Sequence, residues 1–458
     1  MKFCIIGSGP TGLGAAHRLA ELGVGDFRVY ERETQVGGLA ASVRDGRGFT
    51  WDCAVHVAHS HYHAFDRMLT AALPDGYYTL ERRAWVRLHG VDVPYPLQYN
   101  LRHLPPDIRA ACVAGLREKD RRPVLESPPT NFREWIERGF GRGIAEHFML
   151  PYNRKQWTVP AGEMSWQWIG DRVPTVDTAR VLRHIEEQRD DVTWGPNATF
   201  QFPKEGGTGA IWKAVAARLP AGAVQLQREV VGIDPRAKAI RFADGGSERY
   251  EHLISTMPLP ILARLTGLDA VAQRAAQLRH TRVYVMGVAL DHPIPEALRD
   301  KTWIYCAGAE SNFYRLTPFS MFSPAHTPDN ARYCSLLCEI SVPAGETRSP
   351  ADLRAATFAG LVRGGFLAQV PEDTHTHLFD AAYGYPIPTP GRDRILGEVL
   401  PSLEAFQIFS RGRFGGWKYE VSNMDHSFMQ GVEVIDRILA GTPERTLPTP
   451  DVVNAGKR

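Results

Sequence analysis

Between residues 53 and 63 the chain carries Cys53, His56, His59, His61 and His63, four of its 16 histidines within eleven positions. Imidazoles at this density suit metal ligation or proton chemistry beside a cofactor. Zinc spacing on a helix favours i and i+4, and no partner motif for a metal stands elsewhere in the chain. In an extended segment the odd-numbered spacing of His59, His61 and His63 puts all three on one side of a strand. A second group of chemically suggestive residues lies at the start of the chain. Gly7-Ser8-Gly9-Pro10-Thr11-Gly12 follows the apolar run Lys2–Ile6. This spacing suits a dinucleotide: Gly7 allows a tight turn, Gly9 lets backbone approach a pyrophosphate, and Gly12 lets helix and strand pack closely.

The elements around these glycines complete a βαβ unit. An amphipathic helix with Leu13, Ala16, Leu19 and Ala20 on one face is predicted next, then the strand Phe27–Tyr30, then Glu31. The helix N-terminus favours an anion, and Glu31 can accept hydrogen bonds from ribose hydroxyls. The pair Gly37-Gly38 shortly after suits a flavin dinucleotide, in which a second glycine pair closes over the same pyrophosphate. Arg228–Ile233 reads as a strand lining the adenine and Leu253–Pro258 as a returning strand. The loop Ser410–Tyr419 is rich in Gly, Arg and aromatics and precedes a long helix expected from near Asp425. That helix has Met429, Val432, Ile435, Ile438 and Leu439 on its buried face and Asn423 or Asp425 as N-cap. A helix start there suits a cofactor or an anion.

The 458 residues allow two or three domains, and 43% hydrophobic with 23% charged residues is ordinary for a soluble globular chain. A net charge of +2 supplies no field for nucleic acid or anionic membrane. Six scattered cysteines without a CxxC pair, no sustained apolar N-terminal run and no long apolar stretch read as a cytoplasmic protein with reduced thiols. The expected fold class is α/β: a Rossmann-like FAD-binding domain from residues 1–75, 195–258 and 375–445, a helical insertion at 101–190, and a sheet-based substrate domain from 76–100 and 259–374.

Ten segments in order along the chain carry a resemblance. They are G-G-L-A-A-S (37–42), H-V-x-x-S-H-Y-x-x-F-D (56–66), V-P-Y-P-L-Q (93–98), M-L-P-Y-N-R-K-Q-W (149–157) and W-I-G-D-R-V (168–173). They continue with W-G-P-N-A-T-F-Q-F-P (194–203), W-I-Y (303–305), F-Y-R (313–315), G-Y-P-I-P-T (384–389) and the run from Ser410 to Glu433. In these segments the sequence resembles the UDP-galactopyranose mutase family, in its eukaryotic-type branch. The resemblance implies a redox-neutral exchange of pyranose and furanose forms of a nucleotide-linked hexose. In that reaction N5 of reduced FAD is the nucleophile at the anomeric carbon, and the reductant is NADPH.

The resemblance also implies residue roles. His56 lies against the flavin, and Arg172, Arg315, Tyr385, Tyr419 and Tyr305 hold the diphosphate. Forked guanidiniums and uncharged phenols suit that group. Asn197 contacts sugar and phosphate. Tyr95, Gln98, Asn153 and Trp157 surround the base, with His59 and Trp303 in the substrate region. Gly7, Gly9, Pro10, Thr11, Gly12, Glu31, Arg32, Gly37, Gly38, Leu39, Val230, Arg413, Asn423, Met424 and Ser427 hold FAD, and Asn423 also faces substrate. His61 is implied to be structural, and His63 has the plainer reading of a solvated helix start. No metal is implied. Leu97 and His59 stand where the branch has aromatic residues near the base, and Ala84 and Phe322 replace more polar ones. A GDP- or dTDP-hexose is therefore an alternative substrate, since a smaller side chain at 97 leaves room for a purine. A different enzyme class, an FAD amine oxidase or desaturase, shares the glycine features but needs no paired arginines.

Overall fold

The computed structural model describes residues 1–122, 127–170, 173, 176–192 and 198–458. Strand Phe3–Ile6 lies between Phe27–Tyr30 and His252–Ser255 in a five-stranded parallel sheet, with Ile408–Ser410 and Val224–Gln225 at its edges. Alternation along the central strand explains why this sheet is buried on both faces. Phe3 and Ile5 enter one core with Leu13, Trp212 and Phe428, while Cys4 and Ile6 enter another with Leu259, Leu262 and Leu403. Helices Pro10–Glu21 and Met424–Ala440 pack on the first face. The expected strand at 228–233 is Val230–Asp234, in a separate three-stranded sheet with Ala239–Phe242 and Ser247–Arg249.

A second sheet has seven strands in the order Thr376–Ala381, Thr281–Leu290, Cys334–Pro343, Arg315–Pro318, Trp303–Cys306, Ala84–Leu88 and Val91–Pro94. Its neighbours run antiparallel except Trp303–Cys306 beside Ala84–Leu88. One face, through Met286, Ile304, Leu316 and Cys338, forms its own core. The opposite face carries Val285, Trp303, Leu337 and Tyr305, and by the same alternation Arg315 and Glu339. The sheets cut two expected boundaries differently. Thr376–Ala381 belongs to the seven-stranded sheet although it lies beyond residue 374, and helices Leu259–Leu265 and Asp269–Ala275 pack on the parallel-sheet side although they lie after residue 258.

Helices Pro106–Arg121, Phe132–Ile144, Leu150–Trp157 and Thr178–Glu186 pack around a core of Leu97, Leu116, Ile136, Phe140 and Trp157, which also takes in Val86, Leu88 and Val93 from the last two strands of the seven-stranded sheet. Asn131 and Asp177 cap two of them, each accepting from a backbone N–H in the first turn. All six cysteines are free thiols. Among the described residues no helix is long and apolar enough to cross a membrane.

Candidate active site

The glycine loop is built around close backbone approaches. Gly7 has φ +94°, and a Cβ on Gly12 would lie 1.9 Å from the Gly7 carbonyl oxygen, so only glycine lets helix Pro10–Glu21 begin this close to its strand. Gly9 and Gly38 face each other: a Cβ on either lies within 3.9 Å of the other's Cα. Pro10 opens the helix without an N–H, no acidic residue occupies its first turn, and Thr11 is buried there. Leu39 is half-buried in the short turn Gly38–Ala40.

Glu31 is buried and accepts from Ser8 N (2.8 Å) and Ser8 Oγ (2.9 Å) on one oxygen and from Glu33 N (3.0 Å) on the other. A carboxylate has about four acceptor positions, so one remains for a ribose hydroxyl. Arg228 N donates to the Glu31 carbonyl, which lays the segment leading to Val230 beside it. Arg32, by contrast, is exposed and paired with Glu33 at 2.9 Å. The cradle of opposed glycines, uncapped helix start and buried acid fits the pyrophosphate and ribose of FAD.

A cavity of about 220 Å³ is lined by Val55, His56, Val57, His59, Arg82, Phe200, Trp303, Arg315, Arg413, Asn423 and Met424, the last two at the start of the helix that packs on Pro10–Glu21. The sequence-predicted His56, His59, Trp303, Arg315, Arg413, Asn423 and Met424 therefore meet, although they span most of the chain. Asn423 occupies the N-cap position of Met424–Ala440 without a side-chain cap bond; its Nδ2 lies 3.4 Å from His59 Nε2. Ser427 is buried one turn along, donating to Ser422 O. Of the face predicted for that helix, Val432 and Ile435 are buried, whereas Met429, Ile438 and Leu439 are only partly covered.

The cavity's field is positive. Arg413 donates to Gly384 O and Ser422, and no carboxylate pairs with it among the described residues. Its guanidinium lies 5.0 Å from the Tyr385 ring centroid and 5.7 Å from that of Tyr419. Tyr385 and Tyr419 pack on Trp157, and the Tyr385 hydroxyl lies 3.0 Å from that of Tyr314. Burial and the nearby Glu339 push the Tyr385 phenol up to about 12, so it stays a neutral donor. Burial, then the Arg413 charge, hold His56 down to about 4.

This shift has a testable consequence. The unfolded imidazole takes a proton near 6.5 and the folded one only near 4, so the unfolded state binds more protons in between. Stability should fall by at most about 3 kcal/mol as pH drops across that interval. Urea midpoints at pH 7 and pH 4.5 should show this slope in the wild type and a shallower one in His56→Gln. Buried His326, also held near 4, contributes equally to both proteins.

The base-side residues are arranged differently from expectation. Asn153 donates to Met149 O (2.8 Å) and accepts from Trp157 Nε1 (3.2 Å), so its amide and the Trp157 ring brace helix Leu150–Trp157. Gln98 and Leu97 are buried; Leu97 is fully enclosed in the helical core and does not line the cavity. Leu97 therefore adds no volume to this cavity. The rings of Tyr95 and Tyr305 lie 5.5 Å apart, tilted by 56°, and both pack against the helical core and the sheet core alike. Ala84 and Phe322 are buried, the latter against Phe200. Arg172 and Asn197 lie outside the described residues.

The histidine cluster divides. His56 and His59 line the cavity, His63 is exposed at the start of helix His63–Ala72, and His61 Nδ1 lies 2.8 Å from Asp425, which also accepts from His61 N. The segment is not a strand, so its odd spacing does not collect the three rings on one side. His61, Asp425 and His426 do present ligand-type atoms within 4.8 Å of one another.

Several residues of the site were assigned no role from the sequence. Arg82 lines the cavity without a distinguishing motif, and Phe200 lines it from within the segment 194–203. Glu339 had a signal: it is a lone charge in the apolar strand Cys334–Pro343, and a buried charge needs a partner. That partner is Arg315, whose Nε and Nη2 donate to the two carboxylate oxygens at 2.6 and 2.7 Å.

Comparison with known proteins agrees with this geometry. The family of flavin containing amine oxidoreductases matches residues 10–363. A crystal structure of reduced UDP-galactopyranose mutase superposes with TM-score 0.95 at 40% identity, covering 100% of this chain and 98% of that one. A putative protoporphyrinogen oxidase from Exiguobacterium sp. 255-15 follows at TM-score 0.72 and 17% identity, covering 95% and 98%. A fatty acid isomerase from P. acnes that produces CLA gives 0.62 and 15%, covering 96% and 99%. The last two share the fold alone. The match over the whole chain to the mutase, together with the glycine cradle and an arginine-lined cavity whose Arg413 lies against Tyr385 and Tyr419, makes this chain a member of the UDP-galactopyranose mutase family, within the flavin containing amine oxidoreductases.

Proposed function

We propose that the protein interconverts the pyranose and furanose forms of a nucleotide-linked hexose, with UDP-galactose as the substrate. The observation that carries this reading is Arg315 and Arg413 lining one cavity, with Tyr385 and Tyr419 beside Arg413. An amine or apolar substrate would gain nothing from such a set, whereas a departing nucleoside diphosphate needs charge and neutral donors together. FAD, bound and reduced, supplies a nucleophilic ring nitrogen without net loss of electrons.

The chain's own residues supply the rest. Arg315 offers the donors left over from its pair with Glu339, and holds the diphosphate close enough to return. Tyr385 donates a proton-bearing hydroxyl without adding charge. Arg413 places positive charge at the cavity edge, which stabilises anions there. Neutral His56 fills the wall without competing for the anion. The packed rings of Trp157, Tyr385 and Tyr419 keep water from a reacting sugar. Arg172 and Asn197 are proposed as further phosphate and sugar contacts, and NADPH as the reductant.

The test is direct. Purified protein reduced with dithionite or NADPH should convert UDP-galactofuranose to a pyranose isomer of unchanged mass, followed by chromatography; the oxidised protein should not. GDP- and dTDP-hexoses offered in parallel should turn over more slowly. Failure of the reduced protein to isomerise any nucleotide sugar would defeat the proposal, and oxygen consumption with an amine would place it among the oxidases.

A further inference from the structure

Glu339 is fully buried and bonds to partners from different parts of the chain, the Tyr314 hydroxyl among them. Its Oε2 accepts from Arg315 Nε at 2.6 Å. Its Oε1 accepts from Arg315 Nη2 at 2.7 Å and from the backbone N–H of Val55 at 3.0 Å. Arg315 and Glu339 are directly opposed in neighbouring antiparallel strands, so the first pair is fixed by sheet register. Val55 lies in the loop beside His56, about 280 residues away in sequence, and both line the cavity. One carboxylate oxygen is therefore shared between the guanidinium on the sheet and the loop that carries Val55. Burial works against the charge of Glu339, and Arg315 more than offsets it, holding the carboxyl below its ordinary range.

We propose that Glu339 is a positioning residue that locks the guanidinium of Arg315 and the Val55–Val57 loop to each other, so that neither can shift without the other. The chemistry of the side chain explains why a carboxylate is needed. Only an acceptor on both arms can satisfy Nε, Nη2 and the Val55 N–H together. A glutamine turns one arm into a donor facing another donor, and an aspartate, one methylene shorter, does not reach both partners. The catalytic arm of this proposal rests on the diphosphate role of Arg315; the structural arm does not.

Two measurements separate these arms. In Glu339→Gln, bound flavin and its absorbance are expected to persist while turnover per bound flavin falls at least tenfold. UDP affinity of the oxidised protein should stay within threefold of wild type, because lost alignment and a freed positive charge act in opposite directions. Amide hydrogen exchange of the segment 53–57 should quicken at least tenfold. The same segment should exchange faster in Arg315→Lys, although Arg315 makes no hydrogen bond to it, which keeps the proposal testable if Glu339→Gln does not fold. Glu339→Asp should fall between wild type and Glu339→Gln in both readouts. Turnover per flavin within twofold of wild type in Glu339→Gln, or unchanged exchange at 53–57 in Arg315→Lys, would overturn the proposal. If wild type isomerises no nucleotide sugar, the functional reading fails, while exchange and UDP affinity still decide the role of Glu339.

Discussion

Arg315→Ala is expected to lower turnover between roughly 30-fold and 5,000-fold, which corresponds to about 2–5 kcal/mol lost with a buried, hydrogen-bonded charge. The guanidinium lines the cavity and is braced there by the two oxygens of Glu339. Its removal also leaves Glu339 buried and unpaired, at about 3–5 kcal/mol of stability. Turnover must therefore be scored per folded, flavin-loaded molecule, below the lowered melting temperature. The flavin spectrum is expected to remain intact, because the glycine cradle contains no part of strand Arg315–Pro318. Arg315→Lys keeps the charge but not the fork, so it should recover only part of the loss. Loss of flavin with either variant would mean that Arg315 belongs to the cofactor site instead.

Gly431→Ala is the second large effect expected. Helices Pro10–Glu21 and Met424–Ala440 cross in backbone contact: a Cβ on Gly431 would stand 2.1 Å from Thr11 O and 2.6 Å from Ala15 N, and one on Gly14 would stand 2.3 Å from Phe428 O. Backbone atoms cannot yield as a flexible side chain does, so even one methyl forces the helices apart, at about 3 kcal/mol. The crossing joins the helix that starts at the pyrophosphate loop to the one whose first turn, Asn423 and Met424, lines the cavity. Purified Gly431→Ala is expected to carry substoichiometric flavin and to melt about 3 °C lower, whereas Gly441→Ala is the control. Gly441 ends the same helix at φ +70° with nothing within 4 Å of a Cβ, so that change adds only backbone strain of about 1 kcal/mol and leaves flavin content unchanged. Full flavin occupancy in Gly431→Ala would refute the tight crossing.

Much of the cofactor cradle was legible because its determinants are local. Turn conformation, helix start and the acid at the end of the second strand all fall within about 30 residues, and their spacing alone fixes their relative places. Several site residues were legible only through the family resemblance, which carried Arg315, Tyr385, Tyr419 and Arg413 as a set. The base side was read less well. Asn153, Trp157, Gln98 and Leu97 are close in sequence to the motif residues, yet the amide of Asn153 bonds within its own helix and Leu97 turns into the helical core. A motif position gives a residue's neighbourhood but not the direction of its side chain.

By itself the sequence determined a flavin-type dinucleotide fold, the order of its parts and the mutase resemblance, because glycine turns and hydrophobic alternation act over short range. Only the tertiary structure decided that Glu339 pairs with Arg315 and Val55, that Arg82 and Phe200 reach the cavity, and that the histidines part company. His56 and His59 line the cavity, His61 is tied to Asp425, and His63 faces solvent. Those outcomes depend on sheet register and helix crossing, which join residues hundreds of positions apart, and on a loop that leaves the extended conformation. No local spacing encodes such contacts, since they form only when separate faces of the chain are buried against each other.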